Sequence, residues 1–77
     1  MPLFRFTAIV DATVLKDREQ FDYPSLEFAK VEARNVLAQL ASERFPLGDW
    51  EMISVEIYDD AMKPLTELRL SFQEIEK

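Results

Sequence analysis

Apolar residues in the middle of the chain recur at intervals of three and four, which is the repeat of one face of an α-helix. This apolar set consists of Leu26, Ala29, Ala33, Val36, Leu37 and Leu40. Polar residues that point in other directions are Glu27, Glu32, Asn35, Gln39 and Ser42. Ser25 can cap the first turn through its hydroxyl, and Pro24 disfavours helical backbone at Tyr23. The pattern predicts one amphipathic helix that begins after Ser25 and is ended by Pro46 and Gly48.

Four other segments alternate between apolar and polar residues, as strands with two different faces do. Two lie before the helix, "LFRFTAIV" at 3–10 and the charge-rich "VLKDREQFDY" at 14–23. The second forms either one continuous strand or a strand with a break, and its charges suit the edge of a sheet. Two lie after it, "WEMISVEIY" at 50–58 and "LTELRLSF" at 65–72. The connecting "DAT" and "DDAMKP" are typical of turns, so we expect two hairpins joined by the helix.

The expected fold is α+β in the order β-β-α-β-β, with the helix packed on one face of a mainly antiparallel four-stranded sheet. A chain of 77 residues has room for one hydrophobic core, so residues 1–77 are expected to form a single small domain. The strand residues predicted to face the helix are Phe4, Phe6, Ala8, Val10, Ile53, Val55, Ile57, Leu68, Leu70 and Phe72. One helix cannot cover the second face, which carries Leu3, Ile9, Met52 and Tyr58. Self-association is expected to complete the burial of that face.

The composition removes several classes of function. Because neither His nor Cys is present, the chain cannot form a disulfide or a thiolate or imidazole metal site, and it lacks the usual general base near neutral pH. Fifteen acidic residues against nine basic ones give a net charge of −6, which repels a nucleic-acid backbone. No segment has the pattern of a signal peptide or a membrane span. We therefore expect a cytoplasmic protein without nucleic-acid or membrane partners.

Acidic residues in the second predicted strand raise the question of a metal site. Asp17, Glu19 and Asp22 lie close in sequence, and carboxylate oxygens are ligands of Ca²⁺ and Mg²⁺. Their spacing matches no calcium loop, and Lys16 and Arg18 neutralise them. A solvated edge strand that resists aggregation is the preferred interpretation, so no metal ligand and no cofactor is assigned.

Nucleophilic or acid and base catalysis has little support. The candidate nucleophiles, all without a histidine partner, are Ser25, Ser42, Ser54 and Ser71. Asp59 and Asp60 are adjacent, which fits a turn better than a catalytic pair. No catalytic residue is assigned.

Two aromatic residues have more than one interpretation. Phe28 falls on the side of the helix opposite the apolar set, where it either packs over Phe21 or Tyr23 or forms an exposed patch with Val31. The local packing is preferred. Trp50 either anchors an interface or, in the preferred interpretation, closes the end of the core.

Four charged residues are predicted to point outward from neighbouring strands, namely Arg5, Glu56, Glu67 and Arg69. On an open sheet face such residues usually pair with opposite charges across strands. A face that is solvated or buried in a dimer is preferred over one that recognises a ligand.

Three stretches of the chain resemble short bacterial proteins classed as a domain of unknown function. They are "MPLFRF" at 1–6, "PSLEFAKVEA" at 24–33 and "SVEIYDDAMKPLTELRLSF" at 54–72. Such proteins open with Met-Pro and an aromatic strand, enter an Ala- and Glu-rich helix through Pro-Asp-Leu-Glu or a similar sequence, and close on a hairpin ending in Leu-Ser-Phe. This chain has "DAT" and "DDAMKP" where they usually carry Asp-Gly turns, and Gln20 where they have Gly. The resemblance implies the same architecture and no known activity, substrate or binding residue.

Three functional hypotheses follow. The leading one is a small non-catalytic module that works by protein contact, as a homodimer through the uncovered sheet face or an edge strand. Its candidate interface residues are Leu3, Ile9, Phe28, Val31, Met52 and Tyr58. The alternative is an antitoxin-like regulator that neutralises a basic partner protein, since the chain resembles in outline the antitoxins that carry a degraded ribonuclease-H-like domain. The third is a small metal-dependent enzyme that uses Asp17, Glu19 or Asp22.

Overall fold

The computed structural model describes residues 2–48 and 50–77. In chain order the elements are β1 (Leu3–Val10), β2 (Thr13–Asp22), α1 (Leu26–Arg44), a short 3₁₀ helix (Phe45–Leu47), β3 (Met52–Asp59) and β4 (Pro64–Ser71). The predicted order β-β-α-β-β is therefore confirmed.

The strands form one sheet with the order β2-β1-β3-β4. All three strand pairings are antiparallel. The fold class is thus α+β, with one helix packed on a four-stranded antiparallel sheet, as the sequence predicts. Because β1 and β3 lie in the centre, β2 and β4 form the two edges of the sheet.

The helix begins where its sequence predicts. The Ser25 hydroxyl accepts a hydrogen bond from the Phe28 amide at 3.1 Å, which satisfies one of the free amides of the first turn. Helix α1 ends at Arg44, and the following 3₁₀ turn contains Pro46. Gly48 then adopts a left-handed conformation with φ of 70°, which a residue without a side chain does at little cost.

The core lies between α1 and the central strands. The side chains of Phe4, Phe6, Ala8 and Val10 in β1 are all buried, and those of Ile53, Val55 and Ile57 in β3 are completely so. From the helix, Ala29 and Ala33 are 0% exposed. Their short side chains let the helix axis lie close to the sheet. Leu37 and Trp50 complete the set of buried apolar residues in the part of the chain that the structure describes.

Strand β4 contributes less to the core than its alternation predicts. Leu68 and Phe72 pack against the buried cluster and are partly exposed. Leu70 is 39% exposed, so the prediction that it is a core residue is wrong. It lies opposite Ile53 on the helix side of the sheet. Because β4 is an edge strand, a neighbouring strand covers Leu70 on one side, and the other side is exposed.

Strand β2 is the exposed, charge-rich edge that the sequence predicts. Nearly all of its residues are exposed, including Val14 at 52%. Its pairing with β1 shifts register twice, between Phe6 and Ala8 and between Ala8 and Ile9, and the first shift is a β-bulge at Arg18. Arg18 has φ of 55° at this bulge, and its amide donates a hydrogen bond to Thr7 Oγ1 at 3.1 Å. The bulge interrupts the regular edge of the sheet in the middle of β2.

Candidate interaction surfaces

The face of the sheet opposite α1 is called the open face here. Because side chains alternate along a strand, it carries every second residue of each strand. Its members in the two central strands are Leu3, Arg5, Thr7, Ile9, Met52, Ser54, Glu56 and Tyr58. Within the described residues, no second layer covers it.

Four of the six predicted interface residues lie on this open face, in two pairs. Arg5 lies opposite Tyr58 in the β1–β3 register, which puts Leu3 diagonally next to Tyr58. Ile9 lies opposite Ser54, which puts it diagonally next to Met52. All four apolar members of these pairs are partly buried. The open face therefore has an apolar pair at each end rather than one continuous apolar patch.

The centre of the open face is polar. Thr7 and Ser54 are small and are only 6% and 4% exposed, because longer neighbouring side chains cover them. The Arg5 guanidinium lies 3.5 Å from an Asp60 carboxylate oxygen. Glu56 lies directly opposite Glu67 in the β3–β4 register. These groups separate the two apolar pairs.

The predicted pairing of opposite charges does not occur between the directly opposed residues of β3 and β4. Glu56 and Glu67 form a like-charge cross-strand pair, an arrangement that is destabilising. Each carboxylate instead has a partner within its own strand. The Tyr58 hydroxyl donates to Glu56 at 2.9 Å, and the Arg69 guanidinium donates to Glu67 at 3.0 Å. The hydrogen bond with Glu67 also raises the pKa of Arg69, so this guanidinium stays charged.

The phenol of Tyr58 is expected to titrate at unusually high pH. Its hydrogen bond to Glu56, together with partial burial and the carboxylate charge, raises the pKa of Tyr58 above the ordinary value of 10.0. The folded state thus binds this proton more tightly than the unfolded state does. The resulting contribution to stability is fully present below the unfolded pKa and is lost as pH rises through the folded pKa.

Ultraviolet difference absorbance across alkaline pH tests this assignment. The variant Tyr23→Phe leaves Tyr58 as the one remaining tyrosine of the two in the chain. In that background, Glu56→Gln should lower the pKa of Tyr58 toward its ordinary value, since the amide carries no charge and accepts a weaker hydrogen bond. An unchanged titration curve in Glu56→Gln would contradict the assignment.

The other two predicted interface residues lie on the helix, on a different surface. Phe28 and Val31 are 44% and 47% exposed on the side of α1 that faces away from the core. The Phe28 ring also lies 5.4 Å from that of Tyr23, which stacks on Phe21. The preferred local packing of Phe28 is thus present, and half of the side chain remains exposed. The six residues do not form one surface.

Trp50 closes one end of the core. It is 5% exposed, and its ring lies 5.5 Å from that of Phe72. Phe72 in turn makes an edge-on contact with Phe45 at 4.9 Å. Trp50 is therefore a core residue, which is the interpretation preferred from the sequence, and it is not an exposed anchor residue. Its indole Nε1–H is buried and has no hydrogen-bond acceptor within residues 2–48 and 50–77.

Two of the three acidic residues of β2, Asp17 and Glu19, lie in separate ion pairs, and Asp22 is at the end of the strand. Asp17 lies 3.7 Å from Arg18, and Glu19 lies 3.7 Å from Lys16. In the part of the chain that the structure describes, no three acidic side chains converge as a metal site requires.

The adjacent aspartates organise a turn, as predicted. The Asp59 carboxylate accepts hydrogen bonds from the amides of Ala61 and Lys63 at 2.9 and 2.8 Å. Asp11 has a similar role at the other end of the sheet, where its carboxylate accepts from the Glu51 and Met52 amides at 3.0 and 3.1 Å. These carboxylates are thus occupied in shaping the backbone.

The sequence predicts an edge strand as one possible interface but does not identify β4 as an edge. Leu65 and Leu70 are 37% and 39% exposed there, more than the partly buried apolar pairs of the open face. The local signal was present in the alternation of "LTELRLS", but alternation looks the same in a central strand and in an edge strand. The order of the strands in the sheet decides whether a strand is central or at the edge, and the sequence of the segment does not indicate that order.

The architecture and these surfaces define a small α+β domain whose free surfaces are an open sheet face, two sheet edges and the outer side of one helix. The chain belongs to the family described as a domain of unknown function, DUF6894, which it matches over residues 3–71. This match extends from the start of β1 to the end of β4 and confirms the resemblance seen in the sequence. Comparison with curated proteins and with solved structures gave no match. Among the described residues, no helix combines the length and the apolar character needed to cross a membrane.

Proposed function

We propose that this chain is a non-catalytic cytoplasmic module that works by protein contact and associates with a second copy of itself. The observation that carries the proposal is the coverage of the sheet by α1 on one face alone. Apolar side chains remain accessible on the open face and along the edges, and association is the usual way to remove such surface from water.

The chemistry of the chain supports a role without catalysis. It contains no His and no Cys, the residues that most often act as general base or as thiolate nucleophile. The Ser25 hydroxyl caps the helix, and the carboxylates of Asp11 and Asp59 hold turns. A chain without Cys also has no need of an oxidising compartment.

A homodimer is the simplest form of this association. A two-fold axis uses the same surface on both copies, so one accessible patch is enough to build it. A small domain gains proportionally more from such burial, since its own core is limited.

Sedimentation velocity over a micromolar concentration series tests the proposal on the full chain. We expect the average mass to rise from that of a 9.0 kDa monomer toward twice that value as concentration increases. Monomer at every concentration would overturn self-association. In the same preparation, titration with Mg²⁺, Mn²⁺ and Ca²⁺ should give no binding heat, whereas a saturable heat would favour a metal-dependent enzyme.

A further inference from the structure

We propose that the second copy docks edge to edge on β4, so that the two sheets join into one antiparallel sheet around a two-fold axis at Leu68. In this arrangement Glu67 of each copy lies opposite Arg69 of the other. The inference rests on the proposed self-association and specifies which surface and which register carry it.

The two edges of the sheet differ in their ability to accept another strand. β2 is interrupted by the bulge at Arg18 and exposes a run of alternating charges at 16–19, features that natural proteins use to block edge pairing. β4 pairs with β3 in regular register from Thr66 to Ser71. Along that stretch, the backbone groups that point away from β3 have no partner strand among the described residues. β4 is therefore the edge that remains open to pairing.

The exposed apolar residues of the sheet favour β4 over the open face. Leu70 is 39% exposed on the helix side, directly beside the completely buried Ile53. A strand added at this edge would cover it and extend the existing core. The open face, in contrast, has a polar centre with Arg5, Glu56 and Glu67 between its apolar pairs. A flat apolar contact through that face would bury these charges.

The charges on β4 select one register. A two-fold axis perpendicular to the sheet passes through one residue position of β4. It pairs a residue before that position with the residue equally far after it in the second copy, and it keeps both helices on the same side of the sheet. An axis at Glu67 would place two carboxylates opposite each other, and an axis at Arg69 would place two guanidinium groups opposite each other. An axis at Leu68 places Glu67 opposite Arg69 twice.

The same register also suits the neighbouring positions. It pairs Leu68 with Leu68 and Leu70 with Thr66, all within the regular part of β4. Arg69 of the second copy would also bring a positive charge to Glu67, which lies opposite Glu56 of β3. Edge pairing of this kind buries less than a standard interface, so the dimer should be weak and concentration-dependent.

Charge reversal at the paired positions tests the register. The side chains of Glu67 and Arg69 are 38% and 60% exposed, so the monomer fold should tolerate the changes. Glu67→Arg and Arg69→Glu each place like charges opposite each other twice per dimer. Each should weaken dimerisation roughly tenfold to a hundredfold in Kd. Because one change raises the net charge and the other lowers it, a general charge effect cannot produce both losses.

Mixing the two single variants gives the sharper result. A heterodimer of Glu67→Arg with Arg69→Glu has opposite charges at every paired position, so the equimolar mixture should dimerise like the wild type while neither variant does so alone. Native mass spectrometry separates heterodimer from homodimer. The control is Glu19→Arg on β2, which reverses a carboxylate in a comparable exposed ion pair with Lys16 and should leave dimerisation unchanged.

The outcomes separate this inference from the proposed function. Loss in both single variants with recovery in the mixture supports the β4 register. A wild-type dimer that neither variant weakens, or that Glu19→Arg weakens equally, overturns the β4 register and leaves self-association in place. A wild-type protein that stays monomeric over the concentration series overturns both.

Discussion

Trp50→Ala is expected to lower the free energy of unfolding by about 3 to 5 kcal/mol, the usual cost of removing a large buried aromatic side chain. Trp50 is 5% exposed and packs on Phe72 at the end of the core. Alanine there leaves a cavity at the end of the core. Urea denaturation followed by circular dichroism measures the change, since the variant has lost the one tryptophan that would report by fluorescence.

Trp50→Phe is the matched control for this prediction. Phenylalanine keeps an aromatic ring against Phe72 and removes the buried Nε1–H, which has no acceptor in the described part of the chain. An unsatisfied buried donor costs roughly 1 to 3 kcal/mol, so its removal offsets part of the lost packing. Trp50→Phe should therefore cost less than half as much as Trp50→Ala. Equal losses would show that the indole N–H is satisfied in solution or that the contact with Phe72 contributes little.

The element order and the inner faces could be predicted because each depends on a local pattern. In β1 and β3 the alternation of apolar and polar residues decides which side chains face the helix, and Phe6, Val55 and Ile57 are buried accordingly. The start of α1 was equally readable, since Ser25 and Pro24 act on the backbone next to them. Local causes of this kind leave a signal in the nearby sequence.

The order of the strands, and the features that depend on how strands pair, could not be predicted from local patterns. Leu70 has the same alternating surroundings as Val55, yet it is 39% exposed where Val55 is 0% exposed, because β4 lies at the edge. The Glu56–Glu67 pair depends on the register between two strands. The bulge at Arg18 depends on how β2 meets Thr7. Each is set by pairing between segments.

The places of the candidate interface residues in the fold could be predicted only in part, for the same reason. Periodicity correctly put Leu3 and Tyr58 on the face away from the helix and Phe28 on the outer side of α1. It could not show that these are two separate surfaces, or that a polar centre divides the first one. An edge strand was expected, but β4 could not be identified as that edge, because an edge is a property of the assembled sheet.

Leu37→Ala is expected to lower the free energy of unfolding by about 2 to 5 kcal/mol. Leu37 lies in the middle of α1, is 9% exposed and belongs to the buried cluster with Ile53 and Val55. A domain of this size has a total stability of about 5 to 15 kcal/mol, so the loss is a large share of it. Urea denaturation monitored by the fluorescence of Trp50 provides the measurement.

Phe28→Ala is the control for Leu37→Ala, because it removes a larger but more exposed apolar side chain from the same helix. Phe28 is 44% exposed and its ring contacts Tyr23, so its removal should cost about 0.5 to 1.5 kcal/mol, the value of one aromatic contact. The stability of the monomer should thus follow burial rather than side-chain size. A loss in Phe28→Ala as large as in Leu37→Ala would mean that the row from Phe6 through Phe21 and Tyr23 to Phe28 is a second part of the core. In that event the outer side of α1 would be a structural element of the monomer.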